Sequence, residues 1–173
     1  VYDAAGQAVA SLDPLARRTT SVYDLAGRTF ASANPMNQRT TTVYDAAGQA
    51  VGRIDPLLRR SSTAYDLAGR TVAAVNPLSQ RNTTVYDAAG QAVAALDGLA
   101  RRSTTAYDLA ARALAAVNPL NQRTTTVYDA AGQAVGRIDP LNLRTSGVFD
   151  PAGRRVAAID GLGFRATTVY DAA

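Results

Sequence analysis

Aspartate is the residue with which this sequence could do chemistry, and it comes at a fixed spacing. A Tyr-Asp pair stands at Tyr2-Asp3, Tyr23-Asp24, Tyr44-Asp45, Tyr65-Asp66, Tyr86-Asp87, Tyr107-Asp108, Tyr128-Asp129 and Tyr170-Asp171, and Phe149-Asp150 is the single departure. A column of carboxylates could ligate calcium. That ion takes about six to eight oxygens, and one Asp per copy with no Glu anywhere falls short. A turn cap accounts for the Asp without a ligand, so no metal or other cofactor is expected. The Tyr column could stack against sugars, or it could be the bulky residue that fills an alanine-rich core. Runs such as Thr40-Thr41-Thr42 and Thr124-Thr125-Thr126 could present a flat array of hydroxyls, and Thr is also an ordinary cross-strand partner. Arg and Asp of neighbouring copies could pair on the surface, serving register and solubility more than stability. Asn82-Thr83-Thr84 matches a glycosylation sequon.

The absences narrow the classes. The 173 residues contain no His, Cys, Trp, Lys or Glu, so every cation is Arg and every anion is Asp. Without His and Glu the commonest general acids and bases are missing. Without Cys there is no disulfide framework or thiolate metal site. An enzyme is therefore the least favoured class. The net charge of +4 comes from Arg interleaved with Asp at regular intervals. A nucleic-acid binder needs a concentrated basic stripe, so no nucleic-acid partner is expected. No apolar run is long enough to span a membrane. The sequence reads as a window on a longer chain, so missing targeting signals carry little weight.

The elements that position these residues repeat with the period that separates Tyr2 from Tyr23. The copies are 1–21, 22–42, 43–63, 64–84, 85–105, 106–126, 127–147 and 148–168, and a partial ninth starts at Val169. Odd and even copies alternate, giving a two-copy unit, and "GRIDPL" at Gly52 recurs four copies later at Gly136. The whole chain, 1–173, reads as one array. Each copy carries two turn signals. The first is Asp-x-x-Gly, with Gly6, Gly27, Gly48, Gly69, Gly90, Gly132 and Gly153 at the fourth position, where positive φ is wanted. The second is Asp-Pro or Asn-Pro, with Pro14, Pro35, Pro56, Pro77, Pro119 and Pro140 presetting φ, and Gly98 and Gly161 standing in for Pro in two copies.

Short Thr-, Val- and Tyr-rich segments lie between the turns, and turns at this close spacing leave no room for ordinary helices. The predicted fold is all-β: two strands per copy in an antiparallel meander of hairpins. Such a sheet of 16 strands should curl, because open twisted sheets rarely exceed about 10 strands. The alternative is a parallel β-solenoid with one coil per copy. One detail resists a plain strand: Val9 and Leu12, like Val51 and Ile54, are three apart and so fall on opposite faces. Either both faces are partly covered or a bulge resets the register. The expected core is thin, of small side chains with one large residue per copy.

The sentence typified by "YDLAGRTVAAVNP" resembles the YD repeat, also called the Rhs repeat, and the resemblance covers the whole chain in eight copies. It implies long arrays of β-hairpins wound as a spiral sheet into a hollow shell. In bacterial Rhs proteins and insecticidal toxin complexes such shells enclose a toxin. In teneurins they stand on the cell surface. Secretion or a surface location is implied in the same way. The family's Gly-Asn in the second turn is replaced here by pairs such as Leu15-Ala16, Met36-Asn37 and Leu57-Leu58, and only Leu162-Gly163 keeps the Gly. Neither the self-cleavage motif of some relatives nor a toxin domain is visible. The expectation is a structural protein, an extracellular or cell-surface filament, tube or shell, whose partners are neighbouring repeats or identical chains. A wall segment of a toxin-enclosing capsule and a glycan-binding adhesin are the alternatives.

Overall fold

The computed structural model describes residues 1–171. Its elements are β-strands joined by turns, with no helix among the described residues. They are β1 (Ala10–Leu12), β2 (Arg18–Tyr23), β3 (Thr29–Ala33), β4 (Arg39–Tyr44), β5 (Ala50–Ile54), β6 (Arg60–Tyr65), β7 (Thr71–Val75), β8 (Arg81–Tyr86), β9 (Ala92–Leu96), β10 (Arg102–Tyr107), β11 (Ala113–Val117), β12 (Arg123–Tyr128), β13 (Ala134–Ile138), β14 (Arg144–Phe149), β15 (Arg155–Ile159) and β16 (Arg165–Thr167). The hydrogen-bonded order follows the chain from β1 to β16 and does not close. This is the meander; the antiparallel pairing of sequence neighbours excludes the solenoid.

Two compact units are present. One holds Val1–Thr84 with the turn Asp97–Ala100, and the other holds Val85–Leu96 with the described residues from Arg101 onward. Each unit is a ladder of hairpins. In the first, Ala10 pairs with Thr20, Ala31 with Thr41, Gly52 with Ser62 and Ala73 with Thr83. In the second, Ala94 pairs with Thr104, Ala115 with Thr125, Gly136 with Ser146 and Ala157 with Thr167.

A bulge answers the question of the residues three apart. Val22 pairs with Ala31 but Tyr23 pairs with Thr29, so Phe30 is the extra residue. The same shift falls between Val43 and Tyr44, Ala64 and Tyr65, Ala106 and Tyr107, Val127 and Tyr128, and Val148 and Phe149. A bulge places two residues of one strand opposite one of the other and changes which face follows.

The core is thin and made of small side chains, as expected, but lacks the expected large residue in each copy. Its buried side chains are alanines at the tenth place of the copy, Ala10, Ala31, Ala73, Ala94, Ala115 and Ala157, each between 2% and 6% exposed. Among the described residues no large side chain is fully buried. Tyr23, Tyr44, Tyr65, Tyr86, Tyr107 and Tyr128 are half-buried instead, and Tyr2 and Tyr170 are exposed. The reason is geometric. In a single-layer sheet a methyl group lies below its taller neighbours, while a large side chain rises past them into solvent.

Candidate functional site

Both turns of each copy fold the same way. In the first, Gly6 N–H donates to Asp3 O at 3.1 Å and Asp3 N–H to Gln7 O at 3.0 Å. In the second, Ala16 N–H donates to Asp13 O at 2.9 Å and Asp13 N–H to Arg17 O at 3.1 Å. Each is a type I turn followed by a residue in the left-handed region, a recognised hairpin closure. The Asp side chain caps it: Asp24 Oδ1 accepts from Ala26 N–H at 3.0 Å and Arg28 N–H at 2.9 Å. Asn34 Oδ1 does the same for Met36 and Gln38, both at 3.0 Å, so Asn and Asp interchange here.

In many of the turns the fifth residue pairs with the first through its side chain, though Gln7, Gln49, Gln91 and Gln133 follow an Asp without such a pair. Arg28, Arg70, Arg112 and Arg154 pair with Asp24, Asp66, Asp108 and Asp150 at 2.7–2.8 Å. Arg17 and Arg59 pair with Asp13 and Asp55 at 2.6 and 2.7 Å. Where the cap is Asn the partner is Gln: Asn34 Nδ2 donates to Gln38 Oε1 at 2.8 Å, and Asn76 and Asn118 repeat this with Gln80 and Gln122. The carboxyls of Asp24, Asp66 and Asp108 are held below their usual range chiefly by the N–H of the following Arg, with partial burial opposing and the guanidinium adding. Asp13 and Asp150 are lowered by the same N–H and then by the guanidinium. At Asp55 burial is the largest single influence and pushes upward, but the Arg59 N–H and guanidinium together outweigh it. The aspartates are thus turn caps, and no group of three or more acidic side chains gathers among the described residues to hold a metal ion.

The tyrosines join copy to copy. Tyr23 Oη donates to Ala8 O at 3.1 Å, Tyr44 to Thr29 O at 3.1 Å, Tyr65 to Ala50 O at 3.3 Å, Tyr107 to Ala92 O at 3.3 Å and Tyr128 to Ala113 O at 3.1 Å. Above some of these rings lies the guanidinium from the preceding even copy: Arg28 over Tyr44 at 4.4 Å, Arg112 over Tyr128 at 4.6 Å and Arg154 over Tyr170 at 4.8 Å to the centroid. The same arm reaches the next glycine. A Cβ on Gly48 would lie 3.1 Å from Arg28 Nη1, and one on Gly27 would lie 3.1 Å from Gln7 Nε2. The Tyr column is therefore neither a buried core nor an open stacking platform; it is a joint. The alternation of Gln and Arg after the first turn was the one sequence signal for it.

The Thr runs lie half-buried within strands and alternate between faces, so no single flat row of hydroxyls gathers them all. Asn82 of the sequon is exposed within β8.

The tips of the second turns are apolar and open. Leu15, Met36, Leu57 and Leu78 in the first unit and Leu120, Leu141 and Leu162 in the second are each 71–79% exposed.

No protein-family model matches this sequence, and no curated protein matches it. Solved structures do. A crystal structure of TcdB2-TccC3 without its hypervariable C-terminal region aligns over 94% of this chain at TM-score 0.62 and 14% identity. The Photorhabdus luminescens Tc holotoxin pore aligns over 87% at TM-score 0.60 and 12% identity. TcdB2-TccC3-Cdc42 aligns over 88% at TM-score 0.58 and 17% identity. The chain spans about a tenth of each of those chains, 9–10%. What is shared is the fold: this chain is a hairpin array of the kind found within Tc toxin proteins.

Proposed function

We propose that this chain is a structural wall, a YD/Rhs-type array that builds an extracellular or cell-surface filament, tube or shell, and that it catalyses nothing. The observation that carries the reading is the row of exposed apolar turn tips. Large exposed apolar rows mark surfaces meant to be covered, and a tip leucine or methionine in copy after copy gives one rim of each unit a continuous contact line. The array offers other copies or further windings of its own chain a line of contact along its rims. The structural likeness to Tc toxin proteins favours a second reading, in which the wall encloses a toxin as in Rhs-type capsules.

Cryo-electron microscopy of the native full-length assembly tests both. Open fibres or tubes with a regular axial repeat support the first reading, and closed particles with interior density support the second. Changing Leu57, Leu78 and Leu120 to Ser is expected to disperse either assembly while leaving the melting temperature of the single chain within a few degrees. A dispersed monomer from the unaltered protein would sink the proposal.

A further inference from the structure

In a chain whose columns repeat, departures mark places under a different demand, and four of them meet in the second unit. Gly147 stands where other copies have Thr or Ser, Phe149 where others have Tyr, Arg155 where others have Ala or Thr, and Ala166 where others have Thr, Ser or Asn. The register brings them together: Gly147 pairs with Ala158, Phe149 with Arg155, and Ala158 with Ala166. The Phe149 ring and the Arg155 stem lean over Gly147, whose added Cβ would lie 2.9 Å from Phe149 Cε2 and 3.2 Å from Arg155 Cδ. A depression of about 640 Å³ opens over this floor, lined by Arg137, Gly147, Phe149, Arg155, Ala158 and Ala166 among others. Its volume is that of an ordinary ligand site.

The same backbone exists four copies earlier with the site filled in. There Arg53 matches Arg137, but Thr63, Tyr65, Thr71 and Asn82 stand at the four altered places, on the pairs Thr63–Ala74, Tyr65–Thr71 and Ala74–Asn82. The four changes together remove bulk from the floor, remove a hydroxyl from the wall and add a guanidinium. Arg137 and Arg155 are both exposed, and neither forms an ion pair among the described residues. Arg165 and Asp160 also line the depression, the Asp160 carboxylate already accepting from Leu162 and Phe164 N–H, so three guanidiniums stand against one carboxylate, and that positive excess beside an aromatic ring and an alanine-glycine floor suits a carboxylate attached to an apolar body.

We propose that this depression binds a short acidic peptide segment, with a Glu or Asp side chain between the two arginines and a neighbouring aromatic or branched side chain on the floor. The site is open along one side and crosses the strands from β12 to β16, which suits side chains hung from an extended chain better than an enclosed small molecule. The inference stands apart from the wall reading, because it concerns one place in the array rather than its assembly.

The test uses the whole chain and the capped tripeptide acetyl-Phe-Glu-Phe-amide, followed by amide chemical shifts. Shifts centred on Gly147, Phe149 and Ala158 are expected. Binding should weaken about tenfold when the probe's Glu becomes Gln, as for loss of a charge-assisted hydrogen bond. It should weaken at least as much when Gly147→Thr, Phe149→Tyr, Arg155→Thr and Ala166→Asn are made together. Those residues already fold on the same scaffold in the first unit, and the single change Arg155→Ala serves if the fourfold variant melts early. Equal binding of the Gln probe, equal shifts around Arg53 and Thr63, or benzoate binding as tightly as the peptide would each overturn the proposal.

Discussion

Among the described residues eight non-glycine residues sit in the left-handed backbone region, and seven of them close a second turn: Ala16, Asn37, Leu58, Ser79, Ala100, Asn121 and Asn142, with φ between 57° and 66°. The eighth, Ala111, replaces the glycine of a first turn. Asn adopts this region with little penalty, while for other L-residues the Cβ meets the following carbonyl at a cost of about 1–2 kcal/mol. Leu58 is the bulkiest of the set. Leu58→Gly is therefore expected to stabilise the array by about 1 kcal/mol, after the extra freedom that glycine gives the unfolded chain is subtracted. Gly48→Ala should destabilise it by a similar amount, since the new Cβ is strained and also approaches the Arg28 guanidinium. Equilibrium urea melts of the two variants measure both. A neutral Leu58→Gly would mean the turn relaxes without strain.

At the scale of the hairpin, the caps tie stability to pH. The carboxyls of Asp13, Asp24, Asp55, Asp66, Asp108 and Asp150 are lowered in the folded chain. The unfolded chain then binds more protons, so the contribution is fully present above the ordinary Asp value of about 3.9 and is lost as pH falls through the lower folded values. Thermal melts should be flat from neutral pH down to about pH 5 and should fall steeply below about pH 4. Asp24→Asn keeps the Oδ1 cap, as Asn34 shows, and should flatten part of that fall while costing less at neutral pH than Asp24→Ala. An acid profile unchanged by Asp24→Asn would remove the caps from the explanation. The hairpins themselves were legible in the sequence, because Asp-x-x-Gly and Asx-Pro act between close neighbours and turn chemistry is local. The bulge was legible only as an anomaly, since Val9 and Leu12 announce a change of face without saying where it occurs. The alanine core was legible, but the Tyr was misplaced within it because the burial of a large residue depends on a second layer, and no local pattern reports whether that layer exists.

Across the whole molecule the joint between copies is what the sequence concealed. Arg28 and Tyr44 are partners only once the hairpin register is known, and no strand or turn rule relates them. Deleting residues 22–42 would set Gln7 where Arg28 now covers Tyr44. Adding Gln7→Arg to that deletion is expected to recover about 0.5–1 kcal/mol, the value of an exposed cation–π contact. No recovery in a urea melt would mean that the stacked guanidinium is an ornament of the turn and not a fastening. The exposed tip leucines and the unclosed strand order belong to this scale too.

The two alternating joints also set how such a gene can change. Val43–Leu57 and Val127–Leu141 are identical at every position and stand four copies, two odd-even pairs, apart. An exchange that adds or drops one odd and one even copy rebuilds joints the protein already uses. An exchange of a single copy leaves one mismatched seam. Array length can therefore change by whole odd-even pairs without requiring a contact that the chain does not already make.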